Sequence, residues 1–268
     1  MSSLKKMMIG FALLLIIVAG MLAVWWDNKT DEMYQDSFQS SYNYEVSIRT
    51  NETLDNVTLY LPLPVLEGSS SIGEEMVTRD FYNKAPGWNF SIADTQYGPM
   101  LSIEAEKLIP KYRSPPVPLD DEDIEPAEAV VTESDRYSEE TPILMPFDFS
   151  IIVMTNNTIN TKEPVGNEPV LQPKINLTES DDEDRVQPPE NINPQYYDYE
   201  GRIYAQYETL PDTNVEIHVS MYGTNEGWVL GWTSNDYRDS MGTTLTGSRD
   251  GWVPVTGYLV TGDGVYKD

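Results

Sequence analysis

The sequence predicts a mainly β protein with one transmembrane helix at its amino terminus, followed by a β-sandwich-like region with long acidic loops. Two observations lead to this fold class. Residues 7–26 are uncharged and largely apolar, which is the length that a membrane span requires. After them, apolar and polar residues alternate along many short runs that Gly, Pro and Asn interrupt. This second pattern is typical of half-buried strands joined by turns.

The segment 7–26 is predicted to cross a membrane once. As a helix it would extend about 30 Å, close to the thickness of bilayer hydrocarbon. Lys5 and Lys6 precede it, and Trp25 and Trp26 close it. We therefore expect residues 1–6 in the cytoplasm and everything after Trp26 outside the cell, as a single-pass protein of the cell membrane. A signal peptide cleaved near residue 20 or 23 is the alternative.

The region 27–113 is predicted to be β-rich, with two antiparallel hairpins. Apolar residues alternate from Tyr42 to Ile48 and again from Val57 to Leu61, and a short polar turn separates these runs. That arrangement predicts the first hairpin. The second is predicted at 88–103, where an alternating run leads through a glycine-proline turn into another apolar run.

Two acidic segments interrupt the strand pattern. Residues 114–142 contain ten Asp or Glu and one Arg, and residues 176–200 contain eight and one. We interpret 114–142 and the proline-rich range 156–200 as acidic linkers or loops, because charge blocks usually remain solvated. Between them, the range 143–155 is predicted to contain a strand, since apolar residues alternate along it.

The carboxyl-terminal region 201–268 is predicted to be β-rich. Apolar residues alternate from Val215 to Met221, and glycines then separate runs around Trp228, Trp232 and Trp252. Short strands joined by glycine turns indicate a sandwich or an open barrel. The sequence leaves open whether the β regions form one domain or two.

Charge and cysteine content exclude several functions and locations. The net charge of -27 argues against binding of nucleic acid, because affinity there comes from Lys and Arg that neutralise phosphates. The chain has no cysteine and so has no disulfide, thiolate metal site or cysteine nucleophile. An exported domain without disulfides fits a bacterial or archaeal envelope.

Glycosylation is suggested by the N-x-[ST] motif. From 16 Asn and 41 Ser plus Thr in 268 residues, about two or three matches are expected by chance. Six are present, at Asn28, Asn51, Asn56, Asn89, Asn156 and Asn176. This excess predicts that some of them carry glycans, with unmodified surface Asn as the alternative.

The aromatic residues of the carboxyl-terminal region have two interpretations. Trp228, Trp232 and Trp252 could present flat faces that stack on sugars and bind polysaccharide. Aromatics in short strands are more often part of a core, however, because they bury a large apolar area.

Catalytic and metal sites are not evident in the sequence, which favours a non-enzymatic protein and leaves enzymatic activity open. His218 is the one histidine and is predicted to lie on the surface. A glycosidase needs two carboxylates across a groove, and no such pair can be selected. We interpret Asp236 and Asp239 as turn residues. Calcium is the one ion that the sequence suggests, because Asp236, Asp239, Asp250 and Asp263 occur in glycine-containing segments, where their oxygen atoms could converge as ligands.

Two segments carry a resemblance to known proteins. Residues 56–64 and 251–257, together with the acidic, cysteine-free, sequon-bearing exterior and the basic start, resemble membrane-anchored surface proteins of halophilic and methanogenic archaea. The resemblance implies an archaeal envelope location and no particular activity. The sequence therefore favours a non-enzymatic envelope protein for structure, adhesion or binding, with envelope proteins or polysaccharide as partners. The alternative is a carbohydrate-binding or carbohydrate-active surface protein.

Overall fold

A computed structural model describes residues 3–79, 87–113, 143–180 and 194–266. Strands dominate these ranges, so the predicted mainly β fold is confirmed. The acidic segment 114–142 lies outside the described residues, as do 181–193. The elements, in chain order, are α1 Ser3–Ser37, β1 Gln39–Thr50, β2 Leu54–Val65, α2 Ser71–Thr78, β3 Trp88–Thr95, β4 Gly98–Leu108, β5 Lys111–Arg113, β6 Ile143–Met145, β7 Phe147–Thr155, β8 Val170–Gln172, β9 Ile175–Glu179, β10 Gln195–Glu208, β11 Asn214–Trp228, β12 Trp232–Thr246 and β13 Arg249–Gly264.

Helix α1 is longer than the predicted span. It continues from the apolar segment through Trp26 to Ser37 without a break, because residues 27–37 contain no Gly or Pro that would end it. The large apolar side chains described between Met8 and Trp26 are all exposed. Among the described residues, Gly10–Ser37 is the one helical stretch long and apolar enough to cross a bilayer.

The sheet joins strands from every β-rich part of the sequence. Its order is β3-β4-β2-β10-β13-β12-β11-β1-β7, with β8 on β2 and β9 on β10, and every pairing is antiparallel. The long strands β10 to β13 form its centre. The range 156–200, for which the sequence predicts a linker or loop, contains β8, β9 and the start of β10. Strand β8 pairs with β2, and β10 pairs with β13 and β2, all far away in the sequence, whereas β9 pairs with the next strand, β10. The distant pairings explain why the local pattern does not reveal β8 and the start of β10.

The predicted first hairpin is wrong, whereas the second is confirmed as β3 and β4. Strand β1 pairs with β11 and β7, and β2 pairs with β4, β10 and β8. Strands β1 and β2 instead face each other across the interior, where the Tyr44 hydroxyl donates to the Pro62 carbonyl at 2.8 Å. Both strands bury an apolar face in one core, so alternation alone does not distinguish side-chain contact from backbone pairing.

The sheet curls into a half-barrel whose two outer strands meet through side chains. Trp88 of β3 packs on Phe147 and Phe149 of β7, with ring centroids 5.3 and 5.1 Å apart. Helix α2 packs against β2, β3 and β7 and buries Ile72 and Met76. Aromatic packing therefore joins the edges where backbone hydrogen bonds do not.

Several glycines predicted to lie in turns occupy strand interiors, which corrects the expectation of short strands. Strands β10 to β13 are 14 to 16 residues long. Gly223 is directly opposite Tyr237, and Gly257 is directly opposite Tyr199. A Cβ atom at Gly223 would lie 2.1 Å from the Tyr237 ring. These glycines make room for large rings that lie over the neighbouring strand.

The contact between Gly223 and Tyr237 leads to a stability prediction. Gly223→Ala is expected to lower the free energy of unfolding by about 1–3 kcal/mol, because the buried Tyr237 ring must move. The measurement is urea unfolding of the full chain in detergent, followed by circular dichroism. Gly231→Ala is the matched control, since a Cβ atom there meets nothing within 4 Å. Equal stability of both variants would contradict the prediction.

Candidate functional site

The concave face of the half-barrel is covered by the segment 159–174, which a buried carboxylate holds in place. Asp239 of β12 has no exposed side-chain surface. It accepts hydrogen bonds from the Leu171 backbone N–H at 2.7 Å, the Tyr199 hydroxyl at 2.5 Å and the Lys174 amine at 2.6 and 2.7 Å. The lysine amine also lies 3.6 Å from the centroid of the Tyr199 ring. One carboxylate thus connects β12, β10 and the covering segment.

This buried cluster is suited to holding the fold together. The Lys174 side chain is 5% exposed, and burial lowers its pKa although the Asp239 carboxylate acts in the opposite direction. Burial, and next the Asp239 charge, raise the pKa of Tyr199 far above its ordinary value. Asp239 is therefore a strand residue with buried partners, which corrects its interpretation as a turn residue.

Sequence reasoning missed Lys174 and Tyr199 entirely. Lys174 lies in a polar, proline-rich range, and nothing local signals that its amine is buried. A signal for Asp239 was present, because it shares the inward phase of Tyr237 and Met241 on β12. A charged residue on an apolar phase indicates a buried partner.

Burial of tyrosines predicts loss of stability in alkali. Burial raises the pKa of Tyr207 to about 12, and it raises the pKa values of Tyr44, Tyr199 and Tyr237 further above the ordinary 10.0. Above pH 10 the unfolded chain loses these protons while the folded chain retains them. The stability that these tyrosines contribute is therefore fully present below pH 10 and is lost as the pH rises from 10 through their raised folded-state pKa values. Because the pKa of Lys174 is lowered, its contribution to stability increases with pH up to the ordinary value of 10.5. Four tyrosines with the opposite effect outweigh this one lysine, so the net change in alkali is a loss of stability.

The test compares urea unfolding midpoints of the full chain in detergent at about pH 8 and about pH 11, with tyrosinate absorbance followed in parallel. We expect a lower midpoint at the higher pH. Equal midpoints, or titration of all 17 tyrosines near pH 10 in the folded chain, would contradict it.

A polar network lies at the end of the half-barrel beside α1. Asn225 and Asn235 are buried and joined at 2.9 Å. Asn225 exchanges hydrogen bonds with the Ile159 backbone, and Thr161 bonds to both Asn235 and the Tyr266 hydroxyl. A cavity of about 360 Å³ lies between this network and the last turns of α1. Its described polar lining is uncharged apart from Lys162.

Helix α1 is attached to the sheet through β11. Tyr34 is buried and lies over Gly227, where a Cβ atom would come within 2.5 Å of its ring. The Ser37 hydroxyl accepts from the Trp228 backbone N–H at 2.7 Å. The Ser40 hydroxyl donates to Asn225 at 2.7 Å. The helix is thus continued into the sheet by specific contacts rather than by an unstructured connection.

The six predicted glycosylation sites are all exposed. They occur on α1, after β1, on β2, on β3, after β7 and on β9 (Asn28, Asn51, Asn56, Asn89, Asn156 and Asn176). Each of the six thus belongs to a different strand, helix or connection. Their modification stays a prediction.

The three tryptophans predicted to stack on sugars lie in two separate places. Trp228 and Trp232 are exposed and face each other across the β11–β12 connection, with centroids 5.8 Å apart and planes at 75°. Trp252 lies on the outer face of the sheet, with its ring centroid 4.8 Å from Tyr97 and 5.5 Å from Tyr204. The structure therefore forms no single platform from the three.

The four aspartates considered for calcium do not converge. Asp239 is paired with Lys174, and Asp250 accepts from the Tyr204 hydroxyl. Asp236 and Asp263 are cross-strand neighbours that share the Arg238 guanidinium at 2.9 and 3.1 Å. Among the described residues, no group of three His, Asp or Glu side chains is placed to hold a metal ion.

His218 is exposed, as expected, and its Nε2 atom lies 3.4 Å from the Ser240 hydroxyl.

Comparison of the chain with known protein families, curated proteins and solved structures gave no match.

Proposed function

We propose that the protein is a non-enzymatic, single-pass membrane protein whose half-barrel lies outside the cell and serves structure, adhesion or binding in the envelope. The observation that supports this most directly is the state of α1. Its apolar stretch has no cover from the sheet, and its last turns pack firmly on β11 through Tyr34 and Ser37. An uncovered apolar stretch of this length is stable in lipid and costly in water.

The proposed orientation follows from the charges at the two ends of the apolar stretch. Lys5 and Lys6 precede it, and the acidic residues Asp27, Asp31 and Glu32 follow. Basic residues favour the cytoplasmic side, which supports a position outside the cell for the half-barrel and its exposed sequons. A bacterial or archaeal envelope suits a cysteine-free exported domain, and the resemblance to archaeal surface proteins makes the archaeal envelope the proposed setting. Envelope proteins or polysaccharide are the proposed partners.

Membrane insertion is tested by extraction of membranes with alkaline carbonate. The full chain is expected in the pellet. Leu14→Arg with Ile16→Arg is expected to release it, because two charges at the centre of the span are costly in hydrocarbon. The matched control is Ile152→Arg with Met154→Arg, two residues of β7 that are similarly exposed. Release of the unaltered chain, or equal release of both variants, would refute the anchor.

Orientation is tested by labelling intact cells with a membrane-impermeant maleimide, which the cysteine-free chain allows without background. Val265→Cys is expected to react and Ser3→Cys is not.

Glycosylation is tested separately, by mass spectrometry of peptides that contain the six sequons in the native protein. Unmodified peptides at all six would remove the glycoprotein proposal and leave the anchor standing.

Glycan binding is the second candidate function, and one observation favours it. On the outer face of the sheet, Tyr60 and Tyr204 stack with centroids 5.0 Å apart, and Trp252 and Tyr97 pack beside them. All four rings are partly exposed. Half-exposed aromatics beside hydrogen-bonding groups are suited to sugar rings. On a glycan array, binding that Trp252→Ala abolishes and Tyr258→Ala retains would support this function.

A further inference from the structure

The connection between β11 and β12 exposes an apolar tip that no part of the described structure covers. We define the tip as residues 228–232. Trp228 is 40% exposed, Leu230 is 67% exposed and Trp232 is 61% exposed. Between Glu226 and Asp236 the chain carries no charge, although the whole chain has a net charge of -27. An apolar, uncharged protrusion on so acidic a protein is unfavourable in water and indicates a contact with an apolar phase.

The backbone of the tip supports this interpretation. Leu230 has a φ of 55°, in the left-handed region that Gly or Asn adopts at low cost and that a leucine adopts at a penalty. The turn is held by the Val229 backbone N–H, which donates to the Gly231 carbonyl at 2.8 Å. Because Leu230 is 67% exposed, it gains little packing within the described structure to offset this penalty. A contact outside the protein would supply it.

The position of the tip identifies the apolar phase. Strand β1 begins at Gln39 opposite Glu226 and runs away from the tip, to Thr50 opposite Val215. The tip therefore lies at the end of the sheet that α1 enters, and Ser37 is bonded to the base of the tip at Trp228. The apolar span of α1 and the tip are thus at the same end of the molecule.

Distances along the chain bring the tip close to the bilayer. Ser37 is eleven residues beyond Trp26, or roughly 16 Å along a helix. From Trp228 to Leu230 the chain forms a turn, and it extends at most about 7 Å beyond the contact with Ser37. The gap that remains is at least roughly 10 Å, which is comparable to the headgroup layer of about 5–7 Å on each side of the hydrocarbon plus the length of a Trp side chain. Tilt of the helix reduces the gap further.

We propose that the tip of the β11–β12 connection is a second membrane contact, which inserts Trp228, Leu230 and Trp232 into the headgroup region of the outer leaflet. Tryptophan favours that layer because its ring is apolar and its N–H is polar. The occupant is a neutral lipid surface, since the acidic chain is repelled by anionic headgroups. Together with α1, the tip would fix the half-barrel at a defined angle to the membrane. This inference rests on the proposed membrane anchor.

The test uses single cysteines in the cysteine-free full chain, labelled with an environment-sensitive fluorophore and reconstituted into phosphatidylcholine vesicles. Leu230→Cys reports on the tip. Leu210→Cys is the matched control, because Leu210 is 61% exposed and lies before β11, at the opposite end of that strand. Ile16→Cys reports on the span of α1. Lipids with a nitroxide near the headgroup or in the acyl chain quench probes that are in the bilayer.

The expected result is blue-shifted emission and lipid quenching at positions 230 and 16, with neither at position 210. Quenching at 16 without quenching at 230 would overturn the second contact and leave the anchor intact. A probe at 230 that is shielded from both iodide and lipid nitroxide would also overturn it, because a protein then covers the tip. Absence of quenching at 16 would overturn the anchor and the tip contact together.

Discussion

Lys174→Met is expected to lower the free energy of unfolding by about 3–5 kcal/mol, because it leaves the Asp239 carboxylate buried without its cation. The Lys174 amine makes two hydrogen bonds to Asp239 at 2.6 and 2.7 Å, and both side chains are almost fully buried. The measurement is urea unfolding of the full chain in detergent. The loss should appear as a lower midpoint with little change in slope.

Two further variants show whether the loss comes from charge. Adding Asp239→Asn to Lys174→Met is expected to recover part of the stability, because the uncompensated charge is gone while an oxygen acceptor remains. Lys107→Met is the matched control, since Lys107 pairs with Asp55 at 3.0 Å and both side chains are exposed. Its cost should be at most about 1 kcal/mol. A loss at Lys174 no greater than at Lys107 would show that the buried pair does not hold the covering segment.

Phe149→Ala is expected to lower the free energy of unfolding by about 3–5 kcal/mol. Phe149 is buried and lies between Trp88 and Phe90, with ring centroids 5.1 and 5.2 Å away. These contacts join the two outer strands of the half-barrel, which backbone hydrogen bonds do not connect. Removing the ring leaves a cavity at the contact between β3 and β7.

The matched control for Phe149 is Ile152→Ala on the same strand. Ile152 is 59% exposed, so its truncation should change stability by no more than about 0.5 kcal/mol. Tryptophan emission, to which Trp88 contributes as one of six tryptophans, should shift to the red in Phe149→Ala, because water gains access to the Trp88 indole. Equal stability of the two variants, with unchanged emission, would mean that the aromatic contacts do not close the sheet.

Local pattern predicted the strands well where one face is buried and the other is wet. The alternation in Val215 to Met221 and in Phe147 to Val153 was found as β11 and β7, because a period of two residues is a local property of the chain. The same pattern failed for the partners of β1 and β2. Alternation states which face is buried and does not state which strand lies beside it.

The candidate sites show the same division. Exposure of the six sequons could be anticipated, since polar positions in turns and on strand faces are local features. The glycines were misjudged because the ring that fills the space over Gly223 belongs to the neighbouring strand. The sequence showed the two tryptophans of the apolar tip, Trp228 and Trp232. It did not show that they protrude beside α1, because their position depends on how β11 pairs within the sheet.

The sequence by itself determined the apolar helix, the mainly β composition, the acidic segments and the faces of individual strands, because each of these follows from neighbouring residues. Only the tertiary structure decided the strand order, the aromatic closure of the half-barrel and the burial of Lys174 against Asp239, which are 65 residues apart. Burial of a charge is stable only when a distant partner is already in place. That dependence on long-range contacts is the physical reason that no local pattern reveals it.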